Sequence, residues 1–174
     1  MKWILIVVAS LAALIGIAAL VGSRLPRAHR ASREQRLPAS SEAIWSAITD
    51  VEAFPAWRRD VKRVQRLPDR DGLPVWIEEG RSGKITFAVE RLERPRLLVA
   101  RIADPDLPFG GTWTYEVTPD QSGSLVRITE DGEIYNPLFR FMARFIFGHE
   151  GTIASYLSDL DKRFIRAASS GQGI

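Results

Sequence analysis

The sequence predicts an α+β domain in which an antiparallel sheet grips one long C-terminal helix, carried behind a single N-terminal membrane helix. Three observations predict it. Residues 3–22 form an uncharged apolar run. The middle of the chain is a series of short segments with period-two alternation, separated by turn residues. The C-terminal part carries apolar residues at helical spacing over about 28 positions.

The apolar run reads WILIVVASLAALIGIAALVG. As a helix its 20 residues span about 30 Å, the thickness of a hydrocarbon core. Trp3 stands at one edge, where an indole suits the headgroup region. The small residues Ala12, Ala13, Gly16 and Ala19 fit ordinary transmembrane composition as well as a helix-helix contact. A cleaved signal would have a shorter apolar core and a small-x-small site. Here Val21-Gly22-Ser23-Arg24 follows, so the anchor reading is preferred. Five arginines (Arg24, Arg27, Arg30, Arg33, Arg36) follow the run, against Lys2 before it. That asymmetry places the following domain on the cytoplasmic side of a single-pass protein. Arg24, Arg27 and Arg30 are the candidates for contact with anionic headgroups.

Charge is unevenly spread. Residues 1–39 hold six of the 24 Lys/Arg and one of the 21 acids, leaving 18 basic and 20 acidic groups beyond them. The basic excess therefore lies beside the apolar run rather than on the folded surface, which argues against a nucleic-acid-binding domain. There is no cysteine, so disulfides and thiol chemistry are excluded. The two histidines, His29 and His149, are far apart in sequence, and neither a metal site nor a cofactor is expected.

Along the rest of the chain, residues 28–37 read as a first strand. Ser40 or Ser41 caps a short helix with Ile44, Ala47 and Ile48 on one face. A second short helix over 50–57 is broken by Pro55. Six strands follow at 61–67, 75–79, 84–92, 97–102, 112–118 and 125–134. The segment from Pro68 to Gly72 is expected to be a turn. Ile85, Phe87 and Val89 share one strand face, as do Trp113, Tyr115 and Val117, and Val126, Ile128 and Glu130. Asn136-Pro137 starts the long helix, which Gly148 and Gly151 weaken and could bend. The expected organisation is a membrane anchor over 1–23, a basic linker over 24–29, one domain over 30–166 and a flexible tail over 167–174.

Three stretches carry a family resemblance: LPASSEAIWSAITDVEAFPAWRRDVKRV, GGTWTYEVTP and NPLFRFMARFIFG with TIASYLSDLDKRF. Together they resemble the START-like (SRPBCC) superfamily, in its polyketide cyclase/dehydrase and lipid-transport type, over residues 30–166. The resemblance implies a helix-grip fold with a cavity between the curved sheet and the C-terminal helix. It implies binding of lipids, sterols, polyketides or other apolar ligands, and in some members catalysis. The superfamily has no universal catalytic motif, so no catalytic residue carries over. A fused membrane helix is outside the core family pattern and points to a ligand or partner at the membrane.

Within such a cavity the candidate lining is Trp57, Phe87, Trp113, Tyr115, Glu130, Phe141, Phe145 and His149. Any single aromatic among them fits a filled core more readily than a cavity wall, and Trp57 is either a mouth residue or core. Glu130, in phase with two apolar residues, is the one candidate acid or base; the alternative is pairing with Arg101 or Arg127. The Phe-rich stretch LFRFMARFIF is apolar on more than one face, so Phe139 and Ile146 are left for covering loops, a membrane-protein partner or the membrane surface. Three functions stay open: a carrier for an apolar small molecule, a cyclase or dehydratase using a cavity carboxylate, and a non-enzymatic scaffold for a membrane partner.

Overall fold

A computed structural model of the chain describes residues 1–81, 83–148 and 150–169. The elements run α1 (Lys2–Arg24), β1 (Ala28–Leu37), α2 (Ser41–Thr49), a short 3-10 turn, α3 (Phe54–Trp57), then β2 (Val61–Arg70), β3 (Leu73–Gly80), β4 (Gly83–Glu93), β5 (Leu97–Ile102), β6 (Phe109–Asp120) and β7 (Gly123–Ile134). They end with α4 (Pro137–Met142), a π-helical turn (Ala143–Phe147) and α5 (Gly151–Ser169). The sheet has seven strands in the order β1-β7-β6-β5-β4-β3-β2, every neighbouring pair antiparallel. Consecutive hairpins build β2 to β7, and β1 closes against β7.

The local chemistry explains the elements. Ser40 caps α2 by accepting from the Ala43 amide. Asn136 caps α4 by accepting from the Leu138 and Phe139 amides, with Pro137 at the first helical position. The β2–β3 connection differs from expectation. Pro68, Asp69 and Arg70 continue β2, and the turn is only Asp71-Gly72, with φ of 54° and 76°. Two successive left-handed residues make the tight hairpin turn that matches strand twist. Proline is tolerated because β2 is an edge strand and the pairing is irregular between Leu67 and Arg70.

The C-terminal helix is in two pieces. Apolar periodicity continues through the break, which is why the sequence reads as one element. The backbone departs from the α-helix at Ala143, and Gly148 adopts a φ of 71°. Glycine reaches that region without the steric penalty of a side chain. α5 is the gripped helix, burying Ile153, Tyr156, Leu157, Leu160 and Phe164. These meet Ile44, Trp45 and Ile48 of α2 and Val117, Val126 and Ile128 of the sheet in one core. Asp159 of α5, buried, accepts from the Arg59 amide at 3.0 Å and from Arg59 Nε at 2.7 Å, tying the helix to the α3–β2 link.

α1 is long and apolar enough to cross a membrane, and its side chains are exposed over most of its length. It meets the domain at its C-terminal end, where Ala18 and Ala19 are half-buried. Gly22 is buried against α4: a β-carbon there would lie 1.9 Å from the Pro137 carbonyl oxygen. Arg140, itself buried, donates from Nη1 to the Leu25 carbonyl at 3.3 Å. Gly16 has no atom within 4 Å of that position, so the small-residue contact falls at the helix end and not at its centre.

Candidate functional site

The period-two strands bend around α5 without closing on its N-terminal end, and a cavity of about 360 Å³ remains there. That volume lies in the range of small-molecule sites. The walls are mostly apolar: Ile85 and Phe87 from β4, Ala100 and Ile102 from β5, and Trp113 and Tyr115 from β6. Phe139, Met142, Ala143 and Gly148 line another side, and the exposed lining residues include Phe139 and Gly148 there and Arg81, Gly83 and Glu133 on other elements.

Two clusters of polar side chains interrupt the apolar lining, with Arg81, Glu133 and Thr152 also on the wall. The first surrounds Arg58, which follows α3. Its Nη1 donates to Glu78 Oε1 at 3.0 Å, and Nε and Nη2 donate to Asp60 at 3.3 and 2.9 Å. The guanidinium lies over the rings of Phe54 and Tyr156, 5.0 and 4.9 Å from their centroids. Burial opposes the Arg58 charge, but Glu78 and Asp60 outweigh it and hold the pKa above its ordinary value. Glu78 also accepts from Trp76 Nε1 at 3.0 Å, and Trp76 stacks on Phe87. This group is saturated: one cation is matched by two carboxylates. Burial also pushes the Tyr115 and Tyr156 hydroxyls well above their ordinary values, so both stay neutral.

The second group is Glu130 on β7 with His29 on β1. His29 Nε2 lies 3.8 Å from Glu130 Oε1, and both side chains are largely buried. The imidazole occupies the space over Gly132, its partner in the β1–β7 register; a β-carbon there would lie 2.3 Å from His29 Cε1. Burial raises the Glu130 pKa to about 7, against the opposing pull of a hydrogen bond from the Trp113 indole. Such a carboxyl is partly protonated near neutrality. It can donate a hydrogen bond to a carbonyl or take a proton from an acidic C–H or O–H.

Of the residues singled out from the sequence, Phe87, Trp113, Tyr115 and Glu130 line this cavity. Trp57, Phe141 and Phe145 do not. Trp57 packs edge-on against Phe54 and Tyr156 beside the core. Phe141 lies against the end of α1 and meets Phe145, which is largely exposed, with the two rings tilted and their centroids 4.9 Å apart. The π-helical turn rotates these rings out of the phase that continuous α-helix would give them. His149 lies outside the described residues. Glu130 pairs with neither arginine: Arg101 bonds Glu90, and Arg127 bonds Glu34. Reading along the chain missed Arg58, Glu78, Asp60 and His29. The alternation of β3 puts Glu78 in phase with Trp76, a signal that was present; Arg58 follows a four-residue helix whose direction only the packing fixes.

A seven-stranded antiparallel sheet gripping a C-terminal helix, with a cavity between them, defines the helix-grip class. The chain belongs to the family described as polyketide cyclase/dehydrase and lipid transport, whose pattern matches residues 28–163. Solved structures with the same fold include a START superfamily protein from Mycobacterium smegmatis, at 20% identity and a TM-score of 0.65, covering 79% of this chain and 98% of that one. The Zhui aromatase/cyclase from a Streptomyces species gives 11% identity and a TM-score of 0.68, covering 84% and 99%. Norcoclaurine synthase from Thalictrum flavum gives 12% and 0.63, covering 81% and 96%. A comparison with curated proteins gives no match.

Proposed function

We propose that this chain is a membrane-anchored binding or carrier domain for a neutral apolar small molecule of the lipid, isoprenoid or polyketide-like kind. The observation that carries the reading is the mostly apolar cavity, whose polar lining centres on the Arg58 and Glu130 groups. The charged lining residues are Arg58 and Arg81 against Asp60, Glu78 and Glu133, with Glu130 near half-titration at pH 7. With Arg58 already matched by carboxylates and acids outnumbering arginines in the lining, an anionic head is disfavoured. A hydroxyl or carbonyl at the Glu130 end fits better. α1 anchors the domain, and the arginines that follow it put the domain on the cytoplasmic side. The presence of a cavity weighs against a scaffold with a filled core.

The test is titration of the full chain in detergent with a neutral fluorescent polyene alcohol, read by energy transfer from the cavity tryptophans. Saturable binding of about one probe per chain is expected, weakened about tenfold or more by Ile85→Trp, which fills the cavity. A linear, unsaturable signal unaffected by Ile85→Trp would refute the carrier reading.

A second reading rests on Glu130 and His29. Their contact and the raised carboxyl pKa suit an acid or base for a cyclisation or dehydration inside the cavity. Turnover of a bound polyketide-like ketone that is lost in Glu130→Gln, with binding retained, would establish it.

A further inference from the structure

We infer that the segment 137–148 seats in the bilayer interface, so that the cavity opens there against lipid rather than water. The inference rests on the reading of α1 as a membrane anchor.

Position comes first. Gly22 is the last residue of the apolar run and so marks the level where the hydrocarbon ends. At that level the chain is in contact with α4, with no room for a side chain between Gly22 and Pro137. Arg140 fixes the same junction from the other side through the Leu25 carbonyl. From Pro137 to the end of the π-helical turn is about 11 residues, or roughly 15 Å of helix. Whichever way the segment is turned, it stays within about 15 Å of the headgroup level.

Composition comes second. Phe139, Phe145 and Ile146 are 48%, 59% and 58% exposed, although Phe141, beside them, is half-buried. Large apolar side chains clustered at this exposure mark a contact surface. The segment PLFRFMARFIFG holds no acid. Its exposed Arg144, with exposed Arg24 and Arg27 on the adjoining chain, adds positive charge at the same end. Apolar rings with arginine and no carboxylate are the pattern of an interfacial helix, which buries its apolar face about 5–10 Å into the headgroup and acyl boundary. A protein partner would not require the continuity with α1 that the bilayer supplies.

Function follows from what the same segment lines. Phe139, Met142, Ala143 and Gly148 border the cavity, and Phe139 and Gly148 are exposed while doing so, so the cavity reaches the surface at this segment. One short element thus carries both the exposed aromatic cluster and an opening of the cavity. An apolar molecule would pass between membrane and cavity without crossing bulk water.

The chain has no cysteine, so single substitutions place a label unambiguously. Phe145→Cys, Ile146→Cys, Gln121→Cys and Leu11→Cys, each in the full chain, would be labelled with bimane and reconstituted in phosphatidylcholine/phosphatidylglycerol vesicles. Spin-labelled lipids with the nitroxide high on the acyl chain then quench whatever lies in the interface. Labels at 145 and 146 should lose about half their emission. The label at 121, in the β6–β7 turn at the opposite end of those strands, should keep its emission. Deep nitroxides should quench the label at 11. Unquenched 145 and 146 with a quenched 11 would overturn the inference and leave the anchor standing. If 11 is also unquenched, the anchor reading fails and the inference with it. Shielding of 145 and 146 that grows with protein-to-lipid ratio, without lipid quenching, would assign the surface to a second copy of the chain instead.

Discussion

Glu130 concentrates the chemistry of the cavity at one residue. It faces His29 from β1 and the Trp113 indole from β6, and burial has raised its pKa from 4.5 to about 7. In the folded state it keeps a proton that the unfolded chain releases above about pH 4.5. The stability that this proton provides is fully present below pH 4.5 and is lost as pH rises through about 7. The loss amounts to roughly 3 kcal/mol. In denaturant melts between pH 4.5 and 8 the native chain should therefore weaken with rising pH. Glu130→Gln should remove most of that slope and leave the protein more stable at pH 8; an unchanged slope would place the titration on another group. Arg58 shows the opposite arrangement, with its charge enclosed by two carboxylates and two rings. Removing one partner of such a buried set is costly because the others are left unmatched.

Between elements, the decisive contact is α1 against α4. Helices approach this closely only where one of them lacks a side chain, and Gly22 provides that position. Gly22→Val should lever the helices apart and loosen the linker that follows. Trypsin would then cleave after Arg24 or Arg27 about tenfold faster than in the native chain in detergent, because the linker opens more often. Equal cleavage rates would mean that the junction contributes nothing to linker order. The break between α4 and α5 belongs to the same scale. The π-helical turn and Gly148 end α4 here, and Phe145 is left largely exposed beside Phe141.

At the scale of the whole molecule, the protein divides into an exposed apolar rod and a sheet-and-helix domain with its own core. Leu11 and Leu14 are more than half exposed, and the domain does not depend on them. Replacing both with arginine puts two charges at the helix centre, each opposing insertion by about 3 kcal/mol. The Leu11→Arg, Leu14→Arg chain should shift from the membrane pellet to the soluble fraction with an unchanged circular dichroism spectrum from the sheet. A variant still pelleting with membranes would show that another surface holds the protein there.

The strand phases, the caps at Ser40 and Asn136, and the apolar run over 3–22 were legible in the sequence because each depends on near neighbours in the chain. Alternation alone put Trp113, Tyr115 and Glu130 on the concave face, where the structure has them. What tertiary structure decided depends on contacts distant in sequence. The Arg58–Glu78–Asp60 set joins the end of α3 to β3, and the pairing of His29 with Glu130 follows from β1 closing on β7, 101 positions apart. Periodicity records which residues are apolar, not where the backbone leaves the helix, so Phe141 and Phe145 read as cavity lining when one lies against α1 and the other is exposed. The sequence determined a sheet, a gripped helix and an apolar N-terminal rod, because hydrophobic period and turn chemistry act locally. Only the folded chain decided which polar groups enter the cavity and which end of it adjoins the rod, because those follow from how the elements pack.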